Sequence, residues 1–489
     1  MTLENLGIVL PLGTAGVDVL RALMERAITE FPESFADFAL PPDAAGFKAR
    51  WGELLPSFEA ARARSEQRAE IARTLYLAAA NELRFVDAEG DRTLTGQLLE
   101  RHEPYPLLRV DLPGPGQLRP HVDYAGRVYA GDELSTLADE LERTHMATAA
   151  VASALQDLAK RAAKGVSLRG ERFVLFGAAA ELSPVYTLLE AGADVLWLDR
   201  ERPPIDHLLE PQLSGSISYV EDGVDLLREP GRVRATVEAF ADGAPVHLVM
   251  LAFAVGKSMK LALAMNEIAR SLPGKLVKAL HFLLSPTSVS PIFADDALCA
   301  EDRQQGASAV RRALVRTGQL TPGSVESGDD RFSCAVVMQQ GAGYQLAEYV
   351  AKRLAAEAFQ EFGLGLEAGK KPRGVGSVGV FANMAPVANT RSLASPVLEA
   401  ALLGAPSFDM LIAQPSSARR VAALLLISDV VAPRRTPPSS SRRARLAALF
   451  ARQFHGGVHA QPYALDGIIR VAALKGLAQR PKLAFELLR

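Results

Sequence analysis

Between residues 172 and 384 the chain alternates short apolar runs with amphipathic segments, the pattern of βαβ units around a parallel sheet. The apolar runs predict strands near 172–177, 193–199, 216–226, 246–253, 278–285 and 376–384. Apolar positions recurring every three or four residues predict helices near 181–191, 231–240, 257–272 and 343–362. Upstream the helical period dominates from 16 to about 99, and the stretch 60–83 is rich in Ala, Arg and Glu. A Pro- and Gly-rich patch at 104–120 follows, then a hairpin at 122–134 turning at Ala125-Gly126, then a further helix at 135–164.

Strands alternating with helices imply an α/β protein with a doubly wound parallel sheet at 166–431. The region 1–165 is expected to be a mainly helical cap or substrate domain. A Pro/Ser/Arg-rich linker and a C-terminal helical tail occupy 432–489. An insertion at about 289–340, with a helix near 307–317, exceeds an ordinary connection and is expected to act as a lid or dimer arm. With 489 residues, one core is not enough, so two or three domains are expected.

Composition narrows the chemistry. Lys plus Arg number 54 against 56 Asp plus Glu, so no general attraction draws the chain to nucleic acid. Cys299 and Cys334 lack zinc-type neighbours, which predicts buried, reduced thiols, no metal and no disulfide framework. No signal-like start and no apolar run of spanning length predict a cytoplasmic protein. The amphipathic, basic tail fits packing against the cap or in a homo-oligomer, such as a dimer, better than membrane-surface contact.

The segment RFVLFGAAAELSPVYTLLEAGADVLWLDR, 172–200, reads as strand, small-residue turn, helix, strand, acid. Such a turn lets backbone approach a diphosphate, the helix start stabilises its charge, and an acid some 20 residues on binds ribose hydroxyls. This is a Rossmann-type dinucleotide unit in which Ala179 and Leu182 stand at the second and third glycine positions. Gly177, Ala179, Ala180, Glu181, Leu182, Asp199 and Arg200 are its candidate cofactor residues. Asp199 favours NAD, whereas Arg200 and Arg202 suit the 2′-phosphate of NADP; both cofactors stay open.

Later segments, in order, resemble a divergent short-chain dehydrogenase/reductase over about 260 residues. These are DLLREPGRVRATVEAFADG from Asp225, HLVMLAFAVGKS, HFLLSPTSV, GYQLAEYVAKRLAAEAF, VGVFANMAPVANTRS and PSSARRVAALLLISDVV. The resemblance implies adenine contact by Asp225, cofactor contact by Ala252, and Pro386 and Thr390 around the nicotinamide. It also implies a substrate-orienting Ser285 and a tyrosine whose proton transfer is tuned by Lys352. Tyr349 precedes Lys352 by three residues and Tyr344 by eight, where the family has four, and either tyrosine suits the role.

Three functional classes fit. One is an NAD(P)-dependent oxidoreductase acting on a small, largely apolar carbonyl or alcohol. Another is a lyase, isomerase or cyclase using NAD(P) as a transient relay or not at all. The third is a non-catalytic nucleotide-binding partner protein. Gly256-Lys257-Ser258 lacks the upstream glycine of a phosphate-binding loop, so Lys257 and Lys260 are expected to face solvent. His455 and His459 flank two glycines and are expected in a tight turn rather than on a metal.

Overall fold

Phe173, Val174, Leu175 and Phe176 are all fully buried, because the strand that carries them has helices on both faces. The computed structural model describes residues 6–10, 16–88, 90–208, 210–253, 258–365, 377–388, 390, 395–433 and 441–483. It is a mixed α/β structure around one eight-stranded sheet. The strands are β1 (Leu108–Pro113), β2 (Arg172–Phe176), β3 (Asp194–Leu198), β4 (Ser214–Tyr219), β5 (Val246–Met250), β6 (Val277–Leu284), β7 (Ser377–Met384) and β8 (Gln453–Phe454). They lie in the order β8-β7-β6-β5-β2-β3-β4-β1, and every neighbouring pair is parallel except β4 with β1.

The helices follow from the same alternation. They are α1 (Gly16–Glu30), α2 (Ala44–Arg64), α3 (Arg68–Asn81), α4 (Glu133–Arg143), α5 (Ala149–Arg161), α6 (Val185–Glu190), α7 (Pro230–Ala241) and α8 (Ser258–Ser271). Next, α9 starts as Ala342–Gln345, widens to a π-helix at Leu346–Leu354 and ends as Ala355–Phe362. Then come α10 (Pro396–Gly404), α11 (Pro415–Val431) and α12 (Leu465–Gln479). Helices α1 to α3 and α7 to α9 share one core with Val174, Phe176 and Leu196, whereas α4 to α6 and α11 share another with Phe173, Leu175 and Val195. Successive strand residues thus feed opposite cores, as a two-residue period requires. Residues on either side of 165 contribute to both.

Several elements depart from the sequence expectation, each for a local reason. The region 16–99 also contains a hairpin, Arg84–Asp87 with Gly90–Thr93. The helix expected at 135–164 is two, because His145 takes a positive φ of 55° between α4 and α5. The strand expected at 216–226 ends at Tyr219; Gly223, at φ 73°, then turns the chain beneath the carbonyl of Arg200. The insertion holds two helices, Ala294–Gln305 and Ala309–Arg316, and a hairpin, Ser324–Ser327 with Asp330–Ser333. The tail is not wholly helical, since β8 joins the sheet beside β7. Cys299 and Cys334 are free and half-buried, not fully enclosed, and burial pushes the Cys334 thiol up to about 12. Among the described residues no helix is long and apolar enough to cross a membrane.

Candidate functional site

The carboxyl ends of β2 and β5 lie side by side, and the chain continues from β2 to β3 on one side and from β5 to β6 on the other. A crevice opens at such a reversal. Two hollows occupy it, meeting at Phe253. The first, about 530 Å³, is bordered by Gly177, Asp199, Arg200, Asp225 and Ala252. The second, about 180 Å³, has Ala179, Ala180, Glu181 and Leu182 on one wall. Ser285, Tyr344, Lys352, Pro386 and Thr390 border that same hollow. The structure therefore gathers, along one edge of the sheet, every sequence-selected site residue except Tyr349 and Arg202, which border neither hollow.

Gly177 is required twice over. Its φ is 84°, and a Cβ there would stand 2.5 Å from the Cα of Ala252 on the neighbouring strand end. The turn that follows is braced by its own chain. The amides of Gly177 and Ala178 donate to the Leu198 carbonyl at 2.9 and 3.4 Å, and that of Ala180 to the Gly177 carbonyl at 3.0 Å. The Ala179 amide donates to Asp199 Oδ2 at 3.0 Å, while Asp199 Oδ1 accepts from the Glu201 amide at 3.3 Å. One expectation is corrected here, the start of the helix. Asp199, besides bordering the larger hollow, braces the turn through both carboxylate oxygens, and α6 starts at Val185, after Pro184, not near 181. Positive charge at this wall comes from Arg419 on α11, whose Nε donates to the Glu181 carbonyl at 2.9 Å. Arg200 is mostly exposed, 3.8 Å from Asp225 Oδ2.

Across the second hollow stands a set of hydroxyls. Ser285 Oγ lies 2.8 Å from Thr287 Oγ1, which donates to Gln340 Oε1 at 2.9 Å. Tyr344 borders the same hollow beside Ser285, Thr287 and Gln340, and its ring meets Phe253 edge-on at 5.9 Å. Burial, and then the nearby Glu348 carboxylate, push the Tyr344 phenol well above its ordinary range, so it keeps its proton. A tyrosine with its pKa lowered by lysine is not what is found. Glu348 intervenes one turn on, accepting from the Ser285 amide at 2.9 Å and from Lys352 Nζ at 2.6 Å. Lys352 also donates to the Leu283 carbonyl at 3.1 Å.

Glu348 escaped the sequence reading, although its position four after Tyr344 and four before Lys352 puts all three along one side of a helix. Tyr349 faces the other way. Its hydroxyl donates to Glu59 Oε2 at 2.5 Å within a fully buried group of Glu59, Arg62, Arg353 and Glu357, so it has no access to the crevice. Its selection is corrected: the face of α9 that meets α2 and α3 carries it.

The loop after β8 packs against Ala385, which borders the second hollow. Gly456 and Gly457 have φ of 62° and 82°, and a Cβ on Gly456 would meet the Cβ of Ala385 at 2.9 Å. This is the expected tight turn. His455 Nε2 lies 3.0 Å from Asp296 Oδ2, and the His455 and His459 rings stack at 4.8 Å. Burial drives His459 down to about 3. Among the described residues no group of three or more His, Cys, Asp or Glu is arranged to hold a metal ion. Lys257 falls outside the described residues; Lys260 is half-buried on α8. A scan against protein-family models and a search of curated proteins each find no match for this chain.

Proposed function

We propose that the chain is an NAD(P)-dependent oxidoreductase on a Rossmann-type sheet, similar to short-chain dehydrogenases/reductases, that reduces a small, largely apolar carbonyl compound. One observation carries the reading: Tyr344, kept protonated, borders the same hollow as the hydrogen-bonded hydroxyls of Ser285 and Thr287, facing the first turn across a space open to the crevice. Numbered by themselves in chain order, the parallel strands β2 to β8 run 3-2-1-4-5-6-7, which is the doubly wound order.

The residues fit a dinucleotide. The larger hollow, with Asp225 and Arg200 at its border, has the size and polarity for an adenosine half. Arg419 and the wall 179–182 would meet the diphosphate, with the guanidinium taking the part that the internally bonded turn amides leave. Pro386 and Thr390 would border the nicotinamide end. When bound, such a cofactor supplies hydride.

What the chain supplies is orientation and a proton. Ser285 Oγ and the Tyr344 hydroxyl hold the substrate oxygen. Tyr344, kept protonated by burial and by Glu348, donates as charge develops on that oxygen. Thr287 and Gln340 fix the direction of the hydroxyls. Lys352 stays with Glu348, holding the Ser285 amide and the helix together.

The same donors would polarise a carbonyl without net hydride transfer, which sustains a second reading as an isomerase or lyase. Thermal denaturation with and without NADH and NADPH separates the cases. A bound cofactor at a hundredfold its Kd should stabilise by about 2.7 kcal/mol, and Ala180→Glu, which sets an acid in the diphosphate path, should remove that shift. Tyr344→Phe should retain the shift but lose turnover of aldehydes and ketones by about 10²- to 10⁴-fold. No shift with either cofactor would overturn the proposal, and a shift without NAD(P)H consumption would favour the second reading.

A further inference from the structure

A third hollow, about 40 Å³, adjoins the site and shares Thr287 and Pro386 with the hollow that holds Ser285 and Tyr344. Its other walls are apolar, chiefly Ala401 and Leu402 of α10, Met410, and Ile468 and Ala472 of α12. Thr287 is the single polar side chain at its border, and that hydroxyl is already committed to Gln340.

The space results from how α10 and α12 cross. Gly404 faces the Ala472 carbonyl and Gly476 faces the Ala400 carbonyl, so close that added Cβ atoms would lie 2.0 and 1.9 Å from those oxygens. Ala400 and Gly404, and likewise Ala472 and Gly476, are small residues four apart, which lets the two backbones touch. That contact fixes the helix pair, while Ala401 and Ala472 are too short to fill what lies beside it. An apolar space of this kind stays dry and accepts apolar guests.

We infer that this hollow is a tail subsite, taking a short alkyl or acyl chain whose reacting carbon lies by Ser285 and Tyr344. The identity of the head group rests on the redox reading above; the tail subsite itself rests on the α10–α12 wall. Space for on the order of three water-sized groups sets the length that is buried.

Straight-chain primary alcohols from ethanol to octanol are the probes, their Kd measured calorimetrically on the full chain, with and without NADH or NADPH, with which an alcohol cannot react. Affinity should rise about fourfold per methylene, as burial of each predicts, and then level off when the space is full. Ala401→Phe and Ala472→Phe should each abolish the rise while leaving the cofactor-induced melting shift unchanged. Ala401→Val, a milder filling, should shorten the chain at which the plateau begins. Affinity independent of length, or a rise that survives both Phe substitutions in folded protein, would overturn the subsite. Filling that merely raises the melting temperature, with alcohol binding unaltered, would do the same by marking a packing void. A rise with length but no cofactor shift upholds the subsite and removes the redox reading. A cofactor shift without a rise does the reverse.

Discussion

Lys352 Nζ and Glu348 Oε1 lie 2.6 Å apart, buried at the floor of the crevice, where the other carboxylate oxygen accepts from the Ser285 amide. One acid thus connects the helix of Tyr344 to the strand end of Ser285. Glu348→Gln leaves the ammonium buried without a counter-charge, and a loss of about 3 kcal/mol is expected in urea denaturation. The same change removes the charge that helps hold the Tyr344 phenol up, so the alkaline limb of the pH–rate profile should move to lower pH. An unchanged limb would mean that Tyr344 is not the proton donor.

A second buried group ties α2 to α9. Burial alone would raise the Glu59 carboxyl, yet Arg62 and Arg353 outweigh it and bring the group down to about 2 from its usual 4.5. A carboxyl lowered in the folded state contributes stability that is present above about pH 4.5 and is lost as pH falls toward 2. Glu59→Gln should cost about 3 kcal/mol at neutral pH. It should also flatten the acid limb of stability between about pH 4.5 and 2, as followed by urea midpoints.

His459 acts over a different range. Burial first, and then the neighbouring His455, keep it neutral down to about 3, whereas an unfolded histidine takes up a proton near 6.5. Below that upper value the unfolded chain binds a proton that the folded chain does not, so stability declines as pH drops from about 6.5 to 3. The slope from this one group is at most about 1.4 kcal/mol per pH unit. His459→Gln, which retains a donor for Gln453, should make the decline shallower. A slope identical to that of the unsubstituted protein would refute the assignment.

Where α10 crosses α12, no room exists for a methyl group on either glycine. Gly404→Ala or Gly476→Ala must separate the helices, and overpacking of this kind costs about 1–3 kcal/mol. Differential scanning calorimetry should register it as a lower melting temperature, and binding of the longer alcohols should weaken in parallel.

Much of the sheet was legible because runs such as Phe173 to Phe176 and Leu248 to Met250 are apolar without a break, which suits a strand covered on both faces. Gly177, Ser285, Tyr344 and Pro386 were legible as residues that follow a strand or open a helix. Less visible were facts that depend on which way a face turns. Tyr344 and Tyr349 sit on one helix, and nothing in their spacing tells the crevice from the Glu59 side. The edge strands Leu108–Pro113 and Gln453–Phe454 were missed because one carries alternate exposed residues and the other has only two residues. The bracing role of Asp199 lies in a bond to the Ala179 amide, which composition does not report.

The outermost positions of the large sheet have a consequence in time. β8 lies beside β7 but follows it by about 70 residues, and β1 precedes its partner β4 by about 100. As the chain emerges during synthesis, β1 must wait for its partner, and β7 keeps an open margin until β8 has been made. A nascent chain halted between them would present unpaired backbone groups, the condition that invites chaperone capture or self-association.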